Sequence, residues 1–162
     1  MRFGCRCISR KFTEVTGVEN TEIAIRQAEL IIQLYELRRE PVMRSARGYI
    51  GGGEFMPRSF EDFLAVMSAG DQRTAYVLQV YGYWDMVAAM VLNGALTEEL
   101  VYDTCPEMYF QFAKIRRYLK EFQRCSSLPE QFKNLQKLTE GSERGRARLD
   151  SMERYLELSS TP

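Results

Sequence analysis

The chain contains no histidine among its 162 residues. Histidine is the base of the Ser–His–Asp and Cys–His catalytic systems and a common ligand of zinc, iron and copper. Its absence excludes those systems and histidine-ligated metal sites. Catalysis would have to use carboxylates, lysine, tyrosine, cysteine or a bound cofactor, and no spacing of these residues matches a catalytic motif. We therefore expect a protein that is not an enzyme and carries no cofactor.

A surplus of either charge is also lacking, because 22 basic residues balance 22 acidic ones. Dedicated binders of nucleic acids or anionic membranes usually carry a basic surplus. The balance therefore disfavours nucleic acid as a partner, although a local basic face stays open. The length fits one domain with its own core, and 45% apolar residues argue against general disorder.

Cysteine is scarce and poorly spaced for a metal site. Cys5 and Cys7 form a C-x-C pair, whereas Cys105 and Cys125 stand apart, and zinc sites usually need a second close pair. We expect free thiols, no metal and a reduced cytoplasmic protein. The first residues lack the apolar stretch of a secretory signal, so we expect none.

No segment shows the alternation typical of a strand. Residues 1–18 lack a helical period and predict a poorly ordered arm, followed by a single helical domain over 19–162. Asn20 or Thr21 is the expected N-cap of the first helix. Further caps and stops divide the rest of the domain: Ser59, Asp71, Gly94, Thr97 and Pro106. The prediction is an all-α irregular bundle of about five main helices and two short ones.

Gly51-Gly52-Gly53 is the clearest break between helices. A phosphate-binding glycine loop would need a preceding strand and a following Lys-Ser/Thr pair. Neither is present, so we interpret the three glycines as a flexible loop.

The segment from Ala75 to Leu96 carries a single charge, Asp85, and is long enough to cross a bilayer. An aspartate near the membrane midplane costs about 2.5–3.5 kcal/mol. We therefore expect no membrane span and predict a central helix whose neighbours cover it on all sides.

Asp85 has two interpretations. In the structural interpretation, Asp85 either faces solvent on the helix surface or is buried and needs partners. A structural ion pair would then form with an arginine such as Arg38, Arg44, Arg47 or Arg116. Alternatively, Asp85 with Tyr81 and Trp84 forms the base of an aromatic ligand pocket. We favour the structural interpretation.

The predicted helix 106–124 carries Arg116, Lys120 and Arg124 at spacings of four. A solvated basic face is the simpler interpretation, and a nucleic-acid contact is the alternative.

The last predicted helix starts at Ser142 and carries a narrow apolar seam that includes Leu149, Tyr155 and Leu158. Such a seam packs on the edge of a bundle or on a partner. The leading hypothesis is thus a non-enzymatic protein that acts through protein contacts, as a homo-oligomer joined by this helix. The alternatives are the Asp85 ligand pocket and the basic face.

The stretch from Trp84 to Tyr102 resembles a pattern in a group of uncharacterised bacterial helical proteins. An aromatic–acidic pair, Trp84-Asp85, is followed by Gly94, an acidic short helix and the aromatic Tyr102. The resemblance implies a helical domain of unknown function and assigns no activity.

Overall fold

The computed structural model describes residues 7–159, with side chains from Asn20 onward. Within this range every regular element is a helix, which confirms the all-α prediction. The helices are α1 (Cys7–Leu37), α2 (Pro41–Gly51), α3 (Phe60–Ser68), α4 (Gln72–Leu92), α5 (Glu98–Thr104), α6 (Pro106–Ala113), α7 (Arg116–Cys125), α8 (Lys133–Gly141) and α9 (Glu143–Ser159). They outnumber the predicted helices mainly because the expected helix 106–124 is interrupted after Ala113 and continues from Arg116.

The described chain divides at Arg38 into two compact units. The first consists of α1, and the second contains α2 to α9. Helix α1 begins at Cys7 rather than at the expected cap near Asn20, because asparagine and threonine cost little inside a helix. Residues 1–6 of the predicted arm lie outside the described residues, and the disorder of that arm stays a prediction.

Local signals in the sequence set several helix ends. Ser59 forms a capping box with Asp62 at the start of α3, and Asp71 accepts the backbone N–H groups that begin α4. Thr97 caps α5 in the same way. After α4, Gly94 has a φ of 79°, a left-handed conformation that glycine adopts without steric cost. These positions agree with the predicted caps and stops.

The second unit is built around α4. This helix packs against α2, α3 and α8, while α9 packs against α6 and α8. Val80, Tyr81, Trp84 and Val87 are almost completely buried on α4, and each large apolar side chain contributes about 1.5–3 kcal/mol on burial. The surrounding helices cover one side of α4, but Leu78 is 41% exposed, Met86 39% and Leu92 37%, so the prediction that neighbours cover α4 on all sides is wrong.

Among residues 7–159, no helix combines the length and the apolar character needed to cross a membrane.

Candidate functional site

Asp85 completes the N-terminus of a different helix. Its Oδ1 accepts the backbone N–H of Leu135 at 2.8 Å, and its Oδ2 accepts Asn134 Nδ2 at 3.0 Å. Leu135 is the third residue of α8, where backbone N–H groups have no partner within the helix. The residue that precedes α8, Phe132, supplies no side-chain cap. Asp85 therefore acts as a tertiary N-cap, and its negative charge faces the positive end of the α8 dipole.

Phe132 explains why α8 needs a cap from elsewhere. Its φ of 56° is left-handed and unusual for a bulky residue. Its ring is buried and lies 5.5 Å from the ring of Tyr81, centroid to centroid. Because Phe132 is committed to the core, the capping oxygen has to come from another element.

Tyr81 and Trp84 contact α6, whereas Asp85 contacts α8. The Tyr81 hydroxyl donates to the Gln111 carbonyl oxygen at 2.8 Å, and Trp84 Nε1 donates to Gln111 Oε1 at 2.6 Å. Tyr81, Trp84 and Gln111 are all buried, and burial raises the pKa of Tyr81 well above its usual value. The three residues predicted as a ligand site thus serve two different helix contacts. Their binding of a ligand stays a prediction.

The hydrogen bonds at Gln111 continue to an ion pair. Gln111 Nε2 donates to Glu107 Oε1 at 2.7 Å, and Arg47 binds Glu107 through two parallel hydrogen bonds of 2.9 and 2.7 Å. This bidentate geometry is the strong form of an arginine–carboxylate pair. The sequence analysis missed Gln111 and Glu107, since their spacing of four on α6 matches many solvent-exposed pairs.

A shallow cavity of about 400 Å³ lies beside Asp85, between Gly82 on α4 and the loop 127–132. Asp85 lines it, but both carboxylate oxygens already accept hydrogen bonds from α8. Asp85 therefore has little remaining capacity to form hydrogen bonds with a ligand in this cavity.

The predicted basic strip divides into one paired and two exposed residues. Arg116 is 20% exposed and donates to Glu140 at 3.0 Å, Asp150 at 2.7 Å and Glu153 at 3.2 Å. These three carboxylates hold α7 against α8 and α9. Lys120 and Arg124 are exposed on α7.

Lys114 is a buried cation that the sequence analysis did not single out. Its Nζ donates to the carbonyl oxygens of Ile50 at 2.6 Å, Gly52 at 3.0 Å and Phe55 at 3.1 Å. The ammonium group thus uses its three protons on the end of α2 and the glycine loop. Burial lowers the pKa of Lys114 to about 8. The loop presents carbonyls rather than N–H groups here, which suits a cation and disfavours a phosphate.

Two adjoining cavities, of about 320 and 340 Å³, lie between the segment 51–58 and the C-terminal part of α9. We call them together the loop–α9 groove. Four residues line both cavities: Met56, Arg58, Lys114 and Leu156. Arg117, Glu153 and Glu157 line the first cavity.

One face of helix α1 is apolar and exposed to solvent. Ile25, Ala28, Ile32 and Tyr35 follow one another at spacings of three, four and three, and we call them the α1 stripe. Ile25 is 54% exposed, Ile32 60% and Tyr35 40%. The spacing is that of the contact positions in a coiled coil.

The part of the chain with described side chains contains no group of three or more Cys, Asp or Glu residues that could hold a metal ion. Cys105 is buried and Cys125 is exposed, and both are free thiols.

The sequence model of one family, DUF4760, a domain of unknown function, matches residues 23–142. This is more than half of the chain, so the chain belongs to that family. The match includes the stretch from Trp84 to Tyr102 and confirms its resemblance to an uncharacterised domain family. No curated protein and no solved structure matches the chain.

Proposed function

We propose that this member of the DUF4760 family is a non-enzymatic protein that acts through protein contacts, and that two copies associate through the α1 stripe. The exposure of the stripe is the observation that carries the proposal. Large exposed apolar surfaces on soluble domains commonly mark contact sites. A second copy supplies an identical stripe, and in an antiparallel pair Ile25 of one copy would meet Ile32 of the other.

The polar residues of α1 support this assignment. The charged residues of α1 beyond residue 20 are Glu22, Arg26, Glu29 and Glu36, and they lie on one side of the helix. The rest of its circumference is mostly apolar, with Thr21 and Gln27 as polar exceptions. Such a helix normally has neighbours on more than one side. The small side chain of Ala28, in the middle of the stripe, would let two such helices approach closely.

The α1 stripe has three large exposed apolar side chains, whereas the α9 seam has two, and this difference favours α1 as the oligomer contact. Leu149 is buried, and the Tyr155 ring lies 6.2 Å from the ring of Phe110 in an edge-on arrangement. Tyr155 nevertheless stays 59% exposed, so the predicted α9 seam is covered at Leu149 and open toward its C-terminal end. Leu158, 78% exposed, is its most accessible member.

Protein contacts are also better supported than nucleic-acid binding. Three carboxylates neutralise Arg116, which leaves Lys120 and Arg124 as the accessible part of the basic strip. Two cations release few counterions from a phosphate backbone and give weak binding.

The proposal is tested by light scattering coupled to size-exclusion chromatography over a range of protein concentrations. We expect the wild type to form dimers and the double variant Ile25→Glu/Ile32→Glu to be monomeric, with the dimer constant weakened at least about tenfold, or 1.4 kcal/mol. Charged side chains in the stripe would have to lose water on association, which opposes it.

Leu128→Glu is the matched control, since Leu128 is 55% exposed and lies outside the stripe. This variant should dimerise as the wild type does. A wild type that stays monomeric at every concentration, or a double variant that still dimerises, would disprove association through α1.

Cytoplasmic location in a bacterial cell stays a prediction from the sequence. Fractionation of expressing cells would test it, and recovery of the protein in the membrane fraction would contradict it.

A further inference from the structure

The loop–α9 groove has the size and lining of a small-molecule site. Its cavities of about 320 and 340 Å³ fall in the usual range of roughly 300–1,000 Å³ for ligand pockets. Apolar side chains from different elements line part of it, including Met56 and Pro57 before α3, Ala113 on α6 and Leu156 on α9, and five charged residues complete the lining of the first cavity. An apolar chain could pack along the apolar part.

The charges in the groove are mostly satisfied by the protein itself. Lys114 donates hydrogen bonds to three backbone carbonyl oxygens. Glu153 accepts a hydrogen bond from Arg116, and Glu157 accepts one from Arg117 at 3.0 Å. Arg58 is different, because its guanidinium has no ion-pair or hydrogen-bond partner among the residues with described side chains. Among the residues with described side chains, Arg58 is thus the one cation of the groove without a partner, and it is exposed to solvent.

This arrangement selects for a ligand with a single negative charge. A guanidinium binds a carboxylate through two parallel hydrogen bonds. The other cations that line the groove, Lys114 and Arg117, already have partners, so one negative charge on the ligand matches the one unpaired guanidinium. The apolar side chains that line the groove favour a ligand whose carboxylate is attached to an aliphatic or aromatic group.

We propose that the loop–α9 groove binds an amphiphilic monocarboxylate of the fatty-acid class, with the apolar chain against Met56 and Leu156 and the carboxylate on Arg58. This site is separate from the α1 stripe and does not depend on the proposed self-association.

The test is a fluorescence titration of the full chain with dansyl-undecanoic acid, followed by displacement with unlabelled decanoate below its micelle concentration. We expect saturable binding and displacement. Arg58→Met should weaken binding by about tenfold or more, and Arg58→Lys by less, because lysine keeps the charge but loses the paired geometry. Arg124→Met is the matched control, since Arg124 is an exposed arginine outside the groove, and this variant should bind as the wild type does.

A second variant, Leu156→Trp, fills the groove without changing its charge and should abolish binding while leaving the circular-dichroism spectrum unchanged. Absence of saturable binding to the wild type would overturn the proposal. Equal displacement by decanol and decanoate, or an Arg58→Met variant that binds normally, would also overturn it. The Ile25→Glu/Ile32→Glu variant should retain full binding, so failure of the dimer and failure of this site are distinguishable.

Discussion

Lys114 joins the end of α2 to the glycine loop through its ammonium group. Three carbonyl oxygens surround Nζ within 3.1 Å, and Gly52 provides one of them. A Cβ at Gly52 would lie 2.8 Å from the Gly48 carbonyl oxygen, so a larger residue would shift the loop. The glycines therefore permit a tight turn around a cation, which differs from the flexible loop that their composition suggested.

The buried ammonium makes stability depend on pH. The pKa of Lys114 is lowered from 10.5 to about 8 by burial, so between these values the unfolded state binds more protons than the folded state. The free energy of unfolding therefore rises with pH across that interval, because the cost of burying the charge is relieved. We expect urea titrations to show this rise from pH 8 to 9.5.

Lys114→Met is the control for this pH effect. It should lack the rise, and at neutral pH it should be about 1–3 kcal/mol less stable, because carbonyls would lose their donor. The measurements stay below pH 10 because the pKa of Tyr109 is raised to about 12, mainly by burial. Its ionisation removes stability as pH rises above 10, which is the opposite sign. A rise of equal size in wild type and variant would refute the assignment to Lys114.

At the scale of the helices, α4 packs against α8 and also caps its N-terminus with one carboxylate. Asp85→Ala should lower the free energy of unfolding by about 1–2 kcal/mol, the usual cost of losing an N-cap. Asp85→Asn should cost less, because an amide oxygen can still accept the Leu135 N–H but brings no charge to the helix dipole. Urea denaturation followed by circular dichroism measures both.

Asp71→Ala is a suitable comparison, since Asp71 caps its own helix. Both alanine variants should lose stability, but only Asp85→Ala should speed amide hydrogen exchange in the first turn of α8. Unchanged exchange at Leu135 would show that Asp85 does not cap α8 in solution.

The sequence indicated that Asp85 needed a partner, but it could not identify the partner. We expected an arginine such as Arg47 or Arg116, whereas Arg47 pairs with Glu107 and Arg116 with carboxylates on α8 and α9. The actual donors are a backbone N–H and an asparagine side chain. Backbone N–H groups carry no residue-specific signal, so a cap contributed from a distant helix is invisible in the sequence. Local caps such as Asp71 could be predicted because cap and helix are adjacent.

At the scale of the whole molecule, the second unit has its own core, whereas the first is a single helix. Isolated helices are marginal in water, and most of the largest buried side chains belong to residues after Arg38. We predict that a fragment comprising residues 39–162 unfolds cooperatively in urea and is monomeric by light scattering. A fragment without a cooperative transition would contradict the assignment of the core to residues 39–162. A fragment that still dimerises would contradict the assignment of dimerisation to α1.

The helical class followed from composition and periodicity, because these are properties of residues that are adjacent in the chain. The loop–α9 groove did not, since Met56, Lys114 and Leu156 come from three separate parts of the chain. Their proximity depends on helix packing, which one sequence does not specify. Arg58 gave no signal either, because a lone arginine before a capping box is unremarkable in sequence.

Trp84 is the chain's only tryptophan, and its indole nitrogen is held by Gln111 across the contact between α4 and α6. The molecule therefore contains a single tryptophan fluorophore, which is buried in its core and can be excited at wavelengths where the nine tyrosines absorb little. Its emission should lie at short wavelength in the folded state and move toward the red when α4 and α6 separate. Every variant except Leu156→Trp, which adds a second tryptophan, can thus be monitored at one defined helix contact without attaching a label.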